Sequence, residues 1–170
     1  MMEKGWAARR EGDLLRAREY LTEAIALLKQ QDHHHALVTA LGRLGHVEMD
    51  AKNWDAAQTC YEAAIEQCQL QGDVAGQAHK TRHLGDVFRH RNQPDQAASC
   101  YEAALALYRS LASPPILDLA NAIRMVALSQ EHQQNLGVAR KSWQEAHALY
   151  AQLGLQEGME EADQHLDALK

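Results

Sequence analysis

The sequence predicts an all-α solenoid of about four helix-turn-helix units closed by a C-terminal capping helix. One phrase recurs four times: Ala, three residues, a large side chain, two residues, Ala. The copies are Ala17–Leu21–Ala24, Ala57–Tyr61–Ala64, Ala97–Tyr101–Ala104 and Ala139–Trp143–Ala146, in steps of 40, 40 and 42 residues. A period of that size marks stacked supersecondary units. A second series of small residues runs twelve positions ahead of the first: Gly5, Gly45, Gly85 and Ala127. Turn signals separate the two series: Gly12-Asp13, Asn53, Asn92-Gln93-Pro94 and Asn135.

Two helices joined by a short turn account for all three observations. The small residue on the first helix admits the second at close range. On the second helix, positions i, i+4 and i+7 share one face, so two alanines flank a large side chain that fills the contact.

The elements follow in order. A short helix covers about Met2 to Arg10, and Asp13 caps the next, to about Gln30. Asp32 is expected to cap a third helix reaching about Ala51, and the fourth spans about Trp54 to Leu70. Gly72-Asp73 stops one helix and starts another, to about Arg91. Pro94 opens the sixth, where proline is tolerated. Ser113-Pro114-Pro115 opens the seventh, to about His132, and the eighth runs from about Leu136 to Gln152. Gly154 and Gly158 precede a last helix over roughly Met159 to Leu169. These spans define one domain over 1–170, with units at about 1–31, 32–71, 72–112 and 113–153 and a cap over 155–170. The first unit is abbreviated or continues upstream.

Composition agrees. A chain of 170 residues, 46% hydrophobic, can bury one core. Few aromatics and only three prolines favour helices over a sandwich. Mean hydropathy of −0.48 and the lack of a long apolar run argue against a membrane span. No basic-then-apolar leader opens the chain, which predicts a cytoplasmic protein. Cys60, Cys68 and Cys100 lack CxxC spacing and read as free thiols. The cap segment holds −4 of the chain's −6 net charge, so the remainder is nearly balanced.

The pattern resembles the tetratricopeptide repeat family. Leu44-Gly45 and Leu84-Gly85 match its first helix, and the Ala–large–Ala phrases match its second. The resemblance covers nearly the whole chain, with a period longer by about six than the usual 34 residues. It implies a right-handed α-solenoid. Glu48 and Gln130 depart from the pattern, at a place that is apolar in the family and is filled by Phe88 in the third unit. Looser packing is expected there.

The resemblance also implies that first helices line a concave peptide-binding groove. The matched positions are Trp6, Arg9 and Arg10 in the first unit, and Thr39, Gly42, His46, Met49 and Asp50 in the second. They are His79, Arg82, Asp86, Arg89 and His90 in the third, and Asn121, Arg124, Leu128, Glu131 and His132 in the fourth. Arginines and histidines outnumber acids among them. Guanidinium groups offer paired donors to carboxylates, so the groove predicts an acidic partner. The lysine and asparagine pattern of the family's carboxylate-clamp subclass is lacking, and that specificity is not carried over.

His79 and His83 share the i, i+4 spacing of metal ligands, but no further ligand completes them in sequence, and no metal is expected. Their expected role is hydrogen bonding and pH-dependent charge. The run His33-His34-His35 reads as a solvated helix start. No GxSxG, phosphate-binding glycine loop or HExxH occurs, so neither an enzyme nor a cofactor is predicted. The net charge disfavours nucleic acid. The expected function is a protein–protein interaction module. Alternatives are a peptide-sensing domain of a larger signalling protein, as resemblance to bacterial peptide-pheromone receptors implies, and a self-associating scaffold.

Overall fold

The computed structural model describes residues 1–31 and 33–170, so the capping role expected of Asp32 lies outside the described residues. The described residues form α1 (Met2–Arg10), α2 (Leu14–Gln30), α3 (His34–Asp50), α4 (Trp54–Gln71), α5 (Val74–His90), α6 (Pro94–Ser110), α7 (Ile116–His132), α8 (Leu136–Leu153) and α9 (Gln156–Ala168). Asp13 and Asp73 cap α2 and α5, each accepting from the backbone N–H three residues on, at 3.0 and 2.8 Å. Pro94 occupies the first turn of α6.

Each helix packs chiefly on its neighbours in sequence. Lesser contacts of α1 with α3 and of α3 with α5 bring odd helices side by side. The predicted phrase forms the seam within each pair. Leu21, Tyr61, Tyr101 and Trp143 are all at most 2% exposed, and their flanking alanines are buried. The second series faces them. A Cβ on Gly85 would lie 2.5 Å from the Tyr101 ring, and one on Gly45 would lie 2.8 Å from the Tyr61 ring.

The turns inside the pairs repeat with the same register. Gly12, Lys52, Asn92 and Gln134 all take positive φ, between 58° and 81°. In each, the following amide returns to a carbonyl five residues back, as Asn53 does to Glu48 and Gln93 to Phe88. This Schellman closure satisfies carbonyls that the helix end leaves unpaired. Only the first of the four positions is glycine.

Two expectations change. The packing at Glu48 is not loose. Glu48 is 4% exposed and accepts from Arg18 of α2 at 2.6 and 2.8 Å and from Asn53 at 2.9 Å. The Arg18 hydrogen bond, which outweighs the cost of burial, holds the Glu48 carboxyl below its ordinary range. An inter-unit ion pair thus replaces the apolar contact. At the matched place, Gln130 accepts from Ser142 of α8 at 2.8 Å. The last helix also begins earlier, at Gln156. Gly154 turns left-handed and the Leu155 amide bonds back to Tyr150, so the chain reverses in two residues. Gly158 then lies inside α9, against the Tyr150 ring.

Gly85→Ala is expected to destabilise the fold by about 1–3 kcal/mol, because the new methyl overpacks the Tyr101 seam. Urea denaturation followed by circular dichroism measures it. Lys52→Gly should act oppositely. Relief of the left-handed penalty exceeds glycine's entropic cost, for a gain of about 0.5–1 kcal/mol in the same assay.

Candidate functional site

The odd helices bring eight of the eighteen predicted groove residues into one cleft of about 320 Å³. Helix α3 contributes His46, Met49 and Asp50. Helix α5 contributes Arg82, Asp86, Arg89 and His90, and α7 contributes Arg124. Leu128 and His132 lie instead in an adjoining cavity of about 290 Å³, where the end of α5, the start of α6 and α7 meet. Arg89 and Met125 line both spaces. Trp6 and Arg9 lie beyond the α3 edge. Arg9 and Arg43 place guanidinium carbons 4.6 and 5.5 Å from the Trp6 ring centre, and Arg9 pairs with Asp50 at 2.6 Å.

The tyrosines of the repeated phrase also belong to the site. The Tyr61 hydroxyl meets His46 Nδ1 at 3.0 Å, and the Tyr101 hydroxyl donates to Asp86 at 3.0 Å. Each tyrosine lies fifteen residues after its partner. That interval was visible in the sequence, but packing accounted for the rings and left their hydroxyls unconsidered. Met125 and the second cavity's Pro94 and Ser129 were missed as well, whereas His83, expected beside His79 in a hydrogen-bonding role, lines the cleft.

Three imidazoles cluster where α3 and α5 meet. His83 lies 4.6 Å from His46 and 4.7 Å from His79 between ring centres. Each has a ring nitrogen engaged by a polar neighbour. Tyr61 serves His46, Lys80 Nζ lies 3.4 Å from His79 Nδ1, and Arg82 Nη2 lies 3.0 Å from His83 Nε2. His83 then offers its Nδ1–H to Asp86 at 3.2 Å. Desolvation, reinforced by neighbouring cationic groups, lowers His46 and His79 to about 3. Desolvation lowers His83 as well, against the opposing pull of Asp86. The pH-dependent charge expected of His79 near neutrality is therefore not what this geometry gives: the cluster is neutral. Among the described residues, no three His, Cys, Asp or Glu side chains are arranged to hold a metal ion.

The arginines are unequally available. Arg82 Nη1 lies 3.6 Å from Asp86, and Arg124 makes a paired bond to Glu161 of α9 at 2.5 and 2.6 Å. The acidic cap thus reaches the groove and fills one cation's demand. Arg89 has no carboxylate within ion-pair distance among the described residues. The cysteines offer no nucleophile, since burial pushes the thiols of Cys60, Cys68 and Cys100 up to about 11.

The tetratricopeptide repeat family model matches residues 36–110. These residues belong to that family, and the remaining helices continue the same architecture with its longer period. No curated protein matches the sequence. Solved structures match it at low identity. The apo form of RapI superposes with a TM-score of 0.81 at 11% identity, over 90% of this chain and 55% of RapI. BtubC from P. vanneervenii gives 0.74 at 16%, over 97% of this chain and 76% of its own. A signal transduction ATPase with numerous domains and a tetratricopeptide repeat sensor, from Pyrococcus horikoshii, gives 0.85 at 14%, over 97% of this chain and 25% of its own. The chain therefore spans about half the length of RapI. At these identities the likeness establishes the fold. Tetratricopeptide repeats generally mediate protein–protein interactions, and the fold is typically non-enzymatic. Among the described residues, no helix is long and apolar enough to cross a membrane.

The neutral histidines predict acid lability. Unfolded histidine titrates near 6.5, whereas folded His46 and His79 bind protons only near 3. Between these values the unfolded state holds more protons, so stability is full above about pH 6.5 and falls as the pH drops toward about 3. Asp86, held below its ordinary range by His83, Arg82 and Tyr101 despite burial, adds to the loss at the acid end. Urea midpoints should decline between about pH 7 and pH 4, and His79→Gln should flatten part of that decline. A midpoint that holds or rises on acidification would contradict the neutral cluster.

Proposed function

We propose that this chain is a protein–protein interaction module that takes an acidic partner segment along its odd-helix groove. The observation that supports this most is the convergence of Arg82, Arg89 and Arg124 on one cleft whose lining acids are Asp50 and Asp86. Arginine favours carboxylates through its paired donors. A frame of packed helices loses little ordering entropy when a partner docks. The free thiols, Cys60 and Cys68 buried and Cys100 half-buried, fit a reducing, cytoplasmic setting. Catalysis has no support in the cleft: its His46 and His83 are already bonded and neutral, and the cysteines are protonated.

A second reading is a sensory domain of a larger protein. It draws support from the superposition on a quarter of an ATPase whose repeats are described as a sensor.

Affinity capture from extracts of the native host, with binding constants for the proteins recovered, tests the first reading. Arg89→Glu should weaken partner binding by about tenfold or more, as expected for loss of a charge-assisted hydrogen bond. Lys141→Glu, exposed on α8, should leave binding unchanged. Partners held equally by both variants would place the contact outside the groove.

A further inference from the structure

We infer that the partner segment carries an aromatic side chain next to an acidic one, the ring entering the α5–α6–α7 cavity and the carboxylate pairing with Arg89. This rests on the proposed groove reading and specifies its ligand.

The repeat register supplies the argument. Trp54 opens α4 and stacks on His90, with ring centres 5.1 Å apart and planes within 4°. Forty residues later, Pro94 opens α6 in the place of Trp54, and forty-two residues after His90 comes His132 on α7. Both Pro94 and His132 line the cavity of about 290 Å³. Where one unit fills this place with its own indole, the next has only a pyrrolidine. The walls are Pro94, Ala97, Met125 and Leu128, with His132 at the position that receives the indole in the preceding unit. The volume lies just under the range of about 300–1,000 Å³ usual for whole small-molecule sites, so it suits a single large side chain. A ring there can stack on the imidazole and exclude water from the apolar walls.

Arg89 fixes the second requirement. It lines both this cavity and the cleft, so a group bound to it is the immediate neighbour of a group in the cavity. It is also the cleft arginine without a carboxylate partner among the described residues, because Asp86 and Glu161 occupy Arg82 and Arg124. Its register mate in the preceding unit is Met49, so the charge belongs to this unit's own surface. An aromatic residue beside Asp or Glu satisfies both spaces at once.

Two variants graft the preceding unit's residues and so preserve the frame. Pro94→Trp copies Trp54 and fills the cavity. Arg89→Met copies Met49 and removes the charge. The full chain is used to select a random peptide library displayed on phage, and the enriched peptides are measured by fluorescence polarisation against all three proteins. Circular dichroism checks helicity. Wild type should enrich peptides with an aromatic residue next to Asp or Glu. Pro94→Trp should bind them at least about tenfold more weakly, and on reselection should keep the acid and lose the ring. Arg89→Met should keep the ring and lose the acid. Acidic peptides without a neighbouring aromatic, bound equally by Pro94→Trp, would overturn this inference and leave the groove reading standing. Peptides without acids, or no enrichment at all, would overturn both.

Discussion

A large ring pressed against a helix that lacks side-chain bulk is the contact on which the rest depends. Tyr61 and Tyr101 lie over Gly45 and Gly85 so closely that one added methyl would enter the ring. Trp143 packs with Ala127 in the last unit. Close approach buries the seam, and the seam sets how each pair is oriented. It also carries the tyrosine hydroxyls through to the odd-helix face, where they meet His46 and Asp86. The packing motif therefore fixes part of the polar site. A ring that holds two helices together also decides which nitrogen of a groove histidine is occupied.

Desolvation then governs the electrostatics of that face. Crowding three imidazoles among Lys80, Arg82 and Tyr61 makes a charged ring expensive, so the histidines stay neutral within a hydrogen-bonded network. The arginines keep their charge and satisfy it mostly within the chain. Arg9 turns to Asp50, Arg82 to Asp86 and Arg124 to Glu161. The consequence is a groove whose basic surplus is concentrated on Arg89 rather than spread over every arginine that faces it. Helix α9 contributes to this as well as closing the stack. Its His165 lies 4.2 Å from the Trp143 ring, and both donate to Glu131 of α7. The same helix that covers the last pair's apolar edge presents Glu161 to Arg124.

The sequence determined the fold class, the period, the pairing of helices and the seam, because these depend on periodicities of small and large side chains that lie within one or two turns. It also determined which residues of α3 and α5 share one face, since register along a repeated helix carries over from unit to unit. What lies across the seam or between units was not legible. Glu48 violates an apolar pattern, and only its contact with Arg18 thirty residues away turns that violation into an ion pair. The charges of His46, His79 and His83 depend on burial and on partners from α4 and α5, none adjacent to all of them in sequence. The availability of Arg89 depends on which acids the stack brings to the other arginines. Local pattern encodes which residues share a face, whereas desolvation and charge pairing are properties of the assembled neighbourhood. Only the tertiary structure decided those.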